Sequence, residues 1–191
     1  NLAIPVYSLI HGSGLMLGIG SAAKYSVFRG QKALEPSNQV FSAAICLMAA
    51  FAVFFMLAGI WFAPDLAKWL GADQEIFPMT QTYLRVILLF SPCFMLNDIL
   101  LSFVKNDGNP SLAMSAMLAG SFSNILLDYI FIFPLGFGIF GAVLATGIAP
   151  IISMGILSRH WSNQQNHFHF KWSNSIPSMV LPILSIGFPS F

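Results

Sequence analysis

Two apolar segments decide the fold: SLAMSAMLAGSFSNILLDYIFIF at residues 111–133 and GIFGAVLATGIAPIISMGILS at residues 138–158. Each can cross a hydrocarbon layer of roughly 30 Å as a helix, because about 20 residues rising about 1.5 Å each suffice. The two segments together hold a single charged residue, Asp128. Segments of the same kind predict three further spans and the start of a sixth, at 4–26, 40–63, 82–104 and from Pro177 onward.

The composition of the whole chain agrees with this interpretation. Of its 191 residues, 57% are hydrophobic and 8% are charged, whereas an ordinary soluble domain has roughly 25% charged residues. A soluble core of this size cannot bury so much apolar surface, which excludes a soluble enzyme. The formal net charge of +1 gives no basic field for nucleic acid. The sequence therefore predicts an all-α protein that crosses a lipid bilayer several times.

The connectors between the spans carry turn residues and most of the charges. Asn106-Asp-Gly-Asn-Pro110 is a strong turn signal, because Asn, Asp and Gly tolerate left-handed backbone angles and Pro cannot continue a helix. Lys and Arg concentrate in the first, third and fifth connectors, which predicts that these lie in the cytoplasm. Residue 1 is then expected outside, so we expect one helix to precede it in a longer protein.

The stretch from Asn163 to Ser175 is the most polar of the chain. Four aromatic residues lie in it or beside it: Trp161, Phe168, Phe170 and Trp172. Aromatic side chains favour the headgroup region of a membrane. The pattern predicts an interfacial linker between two membrane bundles.

Asp128 is the strongest candidate for a functional residue. A charge at the centre of a bilayer costs about 2.5–3.5 kcal/mol on insertion scales, so it points to function by default. Asn124 lies four residues earlier on the same helix face, and Ser121 adds to that face. A carboxyl group in a dry site can exchange a proton near neutral pH, and Asn124 can hydrogen-bond either protonation state. The alternative is a hydrogen-bonded pair that only packs helices together.

Two more charges are predicted at membrane depth. Arg85 lies near the outer end of the third span, where it either pairs with Asp128 or extends to the headgroups. Asp98, beside Asn97, lies nearer the inner end and far from Asp128, so the two carboxylates are not expected to form a catalytic pair. A capping or packing role is favoured for Asp98, with gating or proton exit as the alternative.

Three further patterns receive a structural interpretation. Gly18-Ile-Gly-Ser-Ala-Ala23 has the spacing of a dinucleotide site but no preceding strand, so the glycines at 12, 14, 18 and 20 are interpreted as helix-packing positions. His167 and His169, near His160, have weak metal-ligand spacing, and no metal is predicted. His11 is interpreted as a packing histidine, with a cavity-facing role as the alternative.

Proline and glycine interrupt two of the predicted spans. Pro92 is expected to break the third span and Pro150 the fifth, while Gly141 and Gly147 flank Thr146. These interruptions leave some backbone N–H and C=O groups without a helical partner, so neighbouring helices or cavity water must supply their hydrogen bonds. They are common in transporters, so they favour a transport function.

Three motifs occur in order along the chain: Phe103-Val-Lys-Asn-Asp-Gly-Asn-Pro110, Ser123-Asn-Ile-Leu-Leu-Asp-Tyr-Ile-Phe-Ile-Phe133 and Gly138-Ile-Phe-Gly-Ala-Val-Leu-Ala-Thr146. In this order and spacing they resemble the MATE (multidrug and toxic compound extrusion) transporters. Gly18 to Gly30 resembles the family's second helix, and Ile186-Gly-Phe-Pro-Ser190 resembles the start of its seventh. The resemblance covers nearly the whole chain, as helices two to six and the start of seven.

The resemblance implies a twelve-helix protein made of two six-helix lobes, of which this chain is a partial N-terminal lobe. Residues 1–160 would form the N-terminal bundle without its first helix. Residues 161–176 would form a cytoplasmic interfacial linker, and 177–191 would begin the first helix of the C-terminal lobe.

The resemblance also implies a site for the coupling ion and substrate. Its residues would be Asp128, Asn124, Thr146 and Tyr83. Lys105 stands where the family commonly has Arg, and Asp98 where close relatives are expected to have Asn. The implied partners are small organic cations, the lipid bilayer, and the missing first helix and C-terminal lobe.

The implied function is export of cationic or amphipathic organic compounds by antiport with H⁺ or Na⁺. No cofactor, enzymatic activity or nucleic-acid partner is expected, and the expected location is a bacterial or archaeal cell membrane. The alternative is a lipid-linked oligosaccharide flippase of the same superfamily, which should carry more basic residues at its cavity than Arg85 alone. A membrane-embedded enzyme would need His, Cys, Ser or acidic groups clustered at one depth, which the sequence does not indicate.

Overall fold

The computed structural model of the chain describes residues 2–173 and 176–191. Within these residues lie nine α-helices and a final 3₁₀ turn: α1 Ile4–Gly30, α2 Leu34–Trp61, α3 Ala63–Trp69, α4 Phe77–Leu89, α5 Ser91–Asn106, α6 Pro110–Ile132, α7 Gly138–Leu157, α8 Arg159–Ser162, α9 Ile176–Gly187 and the turn Phe188–Ser190. The all-α prediction is confirmed for this part of the chain.

The structure contains the five predicted spans. Four of them are single helices: α1, α2, α6 and α7. The third predicted span is the pair α4 and α5, which bends by 46° at Phe90. The predicted break at Pro92 is therefore confirmed. Pro92 lies in the first turn of α5, where backbone N–H groups make no hydrogen bond within the helix, so the missing N–H of proline costs nothing there.

Three sequence-based boundaries need correction. Pro150 does not break its span, since α7 continues through it beside a cavity that can accommodate the freed backbone group. The second span begins at Leu34 rather than at residue 40. The connector after it contains the unpredicted helix α3, which opens with Pro64 and Asp65 in its first turn.

The turn at 106–110 forms as its sequence predicts. Gly108 adopts a φ of +98°, which glycine reaches without the steric cost that a side chain would add. The Asn109 side chain then accepts a hydrogen bond from the Leu112 N–H at 3.1 Å and so caps α6. This turn joins α5 directly to α6.

Helix α1 lies at the centre of the lobe and packs against α2, α5 and α9. Gly14 and Gly18 face α5, since a Cβ at Gly18 would lie 2.9 Å from the backbone oxygen of Asp98. Gly12 and Gly20 face the C-terminal segment, where Gly20 meets the carbonyl of Ile183. The interpretation of these glycines as packing positions is confirmed.

Replacing Gly20 by alanine should loosen the contact between α1 and α9. Its Cβ would overlap the Ile183 carbonyl and approach Gly187 N to 2.9 Å, so we expect a loss of about 1–3 kcal/mol in stability. Gly155→Ala is the matched control, because a Cβ there meets no atom within 4 Å. The effect of each substitution is measured as the thermal unfolding midpoint of the full-length variant in detergent. Equal midpoints for the two variants would contradict the predicted overlap.

The segment after α8 packs onto the protein, which corrects part of its prediction as a membrane-surface linker. Phe168 is fully buried among the rings of Tyr25, Phe41 and Phe103, with centroids 4.8–5.9 Å away. The N–H of His169 donates to the Asn38 side chain at 2.8 Å. Of the four aromatic residues, Phe170 and Trp172 are strongly exposed, as headgroup contact would require. Asn174 and Ser175 of the predicted linker lie outside the described residues.

Candidate functional site

Four of the predicted site residues converge from three helices. Asn124 on α6 donates from Nδ2 to Thr146 Oγ1 on α7 at 3.5 Å. The Thr146 hydroxyl in turn donates to the Ala142 carbonyl at 3.0 Å. Tyr83 on α4 interacts electrostatically with both Asp128 and Thr146. Close packing of α6 on α7 brings the group together, and Gly120 allows it, since its Cβ would lie 3.2 Å from that of Ser153.

Asp128 is the member of this group with unused hydrogen-bonding capacity. Its Oδ1 atom is buried and accepts no hydrogen bond from the described residues. A buried carboxylate oxygen without a donor costs free energy, which a bound proton or cation would recover. The predicted pair of Asp128 with Arg85 is not formed, because Arg85 is exposed and makes no ion pair within the described part of the chain. The alternative of an Arg85 side chain that extends to the headgroups fits this exposure.

Asn124 and Thr146 line a cavity of about 790 Å³, whereas Asp128 and Tyr83 lie outside its lining. Helices α1 and α5 form one wall, and α6 and α7 form the other. Most of the lining is apolar, and its polar groups include His11, Asn97, Asp98, Lys105, Asn124 and Thr146. A cavity of this size, with a few convergent polar groups, suits a small organic molecule.

A smaller cavity of about 190 Å³ adjoins the first. Tyr7 lines both cavities, and Tyr83 lines the smaller one. Tyr7 interacts electrostatically with both Asp98 and Tyr83, so it lies between Asp98 and the Asp128 group. Among the described contacts, none joins the two carboxylates directly, in keeping with the expectation that they do not form a catalytic pair.

Asp98 and His11 form a contact that the sequence did not predict. His11 Nδ1 lies 2.9 Å from Asp98 Oδ2, and the two side chains are 42% and 4% exposed. Asp98 does not cap a helix end, because its carboxylate faces α1 and the cavity. Its burial against α1 fits the packing part of the favoured role. The His11 ring stacks on Tyr7 and also lines the cavity, so the packing interpretation and its cavity-facing alternative both apply. Asn97 lines the cavity beside them, with its Oδ1 buried and unpaired in the described structure.

The family model of MatE matches residues 1–130 of this sequence. That is more than half of the 191 residues. The chain belongs to the MatE family.

The MatE chain is 30% identical over its whole length to the multidrug export protein MepA of Staphylococcus aureus strain MRSA252, and it spans 43% of that protein. Its fold matches a crystal structure of MATE in complex with MaD3S, with a TM-score of 0.89 and 26% identity over 99% of this chain and 43% of that one. It also matches an inward-facing multidrug resistance MATE family transporter, with a TM-score of 0.86 and 27% identity over 99% of this chain and 44% of that one. The MatE chain thus corresponds to one partial lobe of such a protein.

Asp107 is a buried carboxylate of this MatE chain that sequence reasoning missed. It accepts hydrogen bonds from the Tyr25 hydroxyl and, at 2.8 Å, from the His167 N–H. His160 Nε2 lies 2.9 Å from Oδ2, and Arg29 Nε lies 3.8 Å from Oδ1. One carboxylate therefore ties α1, α8 and the segment after α8 to the turn between α5 and α6. The sequence placed Asp107 in a turn but held no local signal for partners so distant in the chain.

The charge state of Asp107 follows from these contacts. Burial alone would raise the pKa of this carboxyl group, but the hydrogen bonds from Tyr25, His160 and His167 outweigh burial and lower its pKa below the usual range. Asp107 is therefore a carboxylate at neutral pH.

Two of the histidines near Asp107 belong to this network. His160 and His167 both contact Asp107, at 2.9 and 3.1 Å. Across the described ranges, no group of three or more His, Cys, Asp or Glu side chains is arranged to hold a metal ion. His169 instead lies beside Asn166, 3.5 Å from its Nδ2 atom.

Proposed function

We propose that the full-length protein exports cationic or amphipathic organic compounds by antiport with H⁺ or Na⁺, across a bacterial or archaeal cell membrane. The observation that carries the proposal is the convergence of Asp128, Asn124, Thr146 and Tyr83. Two of these residues, Asn124 and Thr146, line a cavity of about 790 Å³. A carboxylate with an unpaired buried oxygen binds the coupling ion. The cavity binds the organic compound.

In this mechanism, Asp128 takes up a proton or Na⁺ from the outer side and Asn124 and Thr146 orient it. Neutralising the carboxylate removes a buried charge, so α6 and α7 repack and the compound is released outward. Thermodynamic linkage then requires the ion and the compound to weaken each other's binding. The lipid bilayer, the remaining helix of the lobe and a second lobe are the partners that complete this cycle.

The similar solved structures support a lobe that keeps its fold while access alternates. The chain matches an inward-facing multidrug resistance MATE transporter with a TM-score of 0.86 and an outward-facing one with 0.87. One helix arrangement that fits both states favours movement of whole lobes over refolding within a lobe. The Staphylococcus aureus relative, named as a multidrug export protein, supports multidrug compounds as the cargo.

A lipid-linked oligosaccharide flippase is the alternative function. Such a protein needs basic residues to hold pyrophosphate, and here Lys105 and His11 are the basic side chains that line the cavity within the described residues. Asp98 also lines the cavity and opposes an anionic cargo. In a similar transporter of the MOP superfamily, from Pyrococcus furiosus, a binding pocket of reverse polarity suggests a different function. Pocket charge is therefore the property that separates the two candidates.

Ethidium efflux from cells that express the full-length gene tests the proposal. We expect efflux to require either an inward H⁺ gradient or an inward Na⁺ gradient, applied separately, and the effective gradient identifies the ion. Cells that lack the gene are the control. A well-expressed protein that produces no efflux under either gradient would favour the flippase.

A further inference from the structure

We propose that His11 and Asp98 form a second ionisable site in the cavity, which holds one proton or, without that proton, an organic cation. The identity of the cation rests on the proposed function. Proton binding by the pair rests on the geometry of the two side chains.

The pair joins an accessible base to a buried acid. His11 Nδ1 lies 2.9 Å from Asp98 Oδ2, where the imidazole is 42% exposed and the carboxylate 4% exposed. Both residues line the cavity of about 790 Å³. A proton from the cavity therefore reaches the imidazole first, and the carboxylate stabilises the imidazolium that forms.

The surrounding structure fixes this arrangement. The His11 ring stacks on Tyr7 at a centroid distance of 5.9 Å and an interplanar angle of 6°, and Tyr7 packs edge-on against Phe94 at 5.6 Å. A Cβ at Gly14 would lie 2.5 Å from Asp98 Oδ2, so only glycine lets α1 approach the carboxylate this closely. The imidazole is thus held over the acid by packing on both helices.

The cavity beside the pair offers one buried acceptor without a donor. Asn97 Oδ1 is buried and accepts no hydrogen bond from the described residues, whereas Asp98 Oδ2 has the His11 imidazole 2.9 Å away. Unpaired buried acceptors favour a ligand that brings positive charge or N–H donors. The lining therefore suits a proton or an organic cation, and disfavours an anion.

Few other titratable groups lie on the helices packed against the pair. They are Tyr7, Lys24, Tyr25 and Arg29 on α1, Cys93 and Lys105 on α5, Glu35 and Cys46 on α2, Tyr83 and Arg85 on α4, and Asp128 and Tyr129 on α6. Helices α7 and α9 contain none within their described residues. Lys105 stands two turns, about 10 Å, along α5 from Asp98, and Glu35 contacts Lys171 at 3.2 Å instead. The charge next to Asp98 is therefore set by His11.

The protonation state of the pair decides what the cavity attracts. With His11 neutral and Asp98 ionised, the pair carries a charge of about −1, and with one proton bound it carries none. An organic cation is attracted to the first state alone, so its binding expels a proton. This second site would couple the proton and the cation directly within the cavity, in addition to the exchange proposed at Asp128.

The first test measures proton binding at His11 in the absence of any organic compound. In NMR spectra of the full-length protein labelled with ¹⁵N-histidine, we expect the signal lost in His11→Gln to titrate between about pH 5 and 8. Asp98→Asn should move that titration to lower pH by about one unit or more, because the carboxylate beside the imidazolium is gone. Asp73→Asn, at an exposed connector position, is the control and should leave it in place. A His11 that does not titrate in this range, or does not respond to Asp98→Asn, overturns the proposal.

The second test measures binding of tetraphenylphosphonium by calorimetry at several pH values. We expect the affinity of the wild type to rise with pH, Asp98→Asn to bind about tenfold more weakly at pH 8, and His11→Gln to bind at pH 8 but lose the pH dependence above about pH 6. An unchanged pH dependence in His11→Gln would contradict the exchange of proton for cation. A folded wild type that binds no tetraphenylphosphonium at any pH overturns both the cation part and the proposed function, and the NMR titration still decides the proton site.

Discussion

Replacing Asp128 by asparagine should abolish ion-driven efflux while leaving the protein in the membrane. Asparagine has nearly the same shape and can still hydrogen-bond, but it can neither bind a proton nor attract Na⁺ in place of the carboxylate. Asp128 is partly buried and its Oδ1 atom has no donor among the described residues, so the neutral side chain should be tolerated by the fold. Ethidium efflux should fall to the level of cells without the transporter.

The matched control for this variant is Asp73→Asn. It makes the same chemical change at an exposed position in the connector between α3 and α4, where no role in ion binding is proposed. Efflux and membrane abundance are measured for both variants under the H⁺ gradient and under the Na⁺ gradient. Full efflux in Asp128→Asn would refute ion coupling at this site, whereas loss of both efflux and membrane abundance would assign Asp128 to packing.

Thr146 and Tyr83 separate ion binding from packing within the same group. Thr146→Val keeps the shape of the side chain but removes the hydroxyl that accepts from Asn124 at 3.5 Å. We expect reduced efflux with a weaker dependence on the driving ion, because Asp128 loses its orientation and not its charge. Tyr83→Phe removes the hydroxyl that interacts with Asp128 and should act in the same direction. A wild-type ion dependence in both variants would confine the function to Asp128 itself.

The membrane spans and the Asp128 group follow from local sequence patterns. A span needs only an apolar segment of sufficient length, so five of them could be predicted from composition along the chain. Asn124 and Asp128 are four residues apart on one helix, and helical periodicity places them on one face. Thr146 and Tyr83 joined them only through the family resemblance, because no local pattern relates α4 or α7 to α6.

The contacts that the sequence did not predict join residues far apart in the chain. His11 and Asp98 are separated by 87 positions, and their contact depends on how closely α1 approaches α5 at Gly14. Phe168 is an aromatic residue in a polar stretch, which is typical of a membrane surface, yet it is buried against Tyr25 and Phe103. In each case the sequence gives the residue type, whereas helix packing decides which neighbour it meets.

The second large effect is expected at Asp107, whose replacement by alanine should destabilise the lobe by about 3 kcal/mol or more. Breaking a buried ion pair by removing one partner typically costs about 3–5 kcal/mol, since the remaining polar groups stay buried without compensation. Here Tyr25 and His160 are 0% and 1% exposed and both contact Asp107. Thermal unfolding of the full-length protein in detergent measures the loss, with Asp73→Ala as the control at an exposed carboxylate.

The pH dependence of unfolding tests whether the charge of Asp107 is responsible. Because the pKa of this carboxyl group is lowered in the folded state, its contribution to stability is fully present above the unfolded value of about 3.9 and is lost as the pH falls through the folded value. The wild type should therefore lose stability more steeply than Asp107→Ala below about pH 4, so that the two unfolding midpoints converge. If the difference between the two unfolding midpoints stays constant down to acidic pH, the side chain acts by packing, because a packing contribution does not depend on protonation. Convergence would assign the stability to the charged network that joins α1, α8 and the segment after α8 at the turn between α5 and α6.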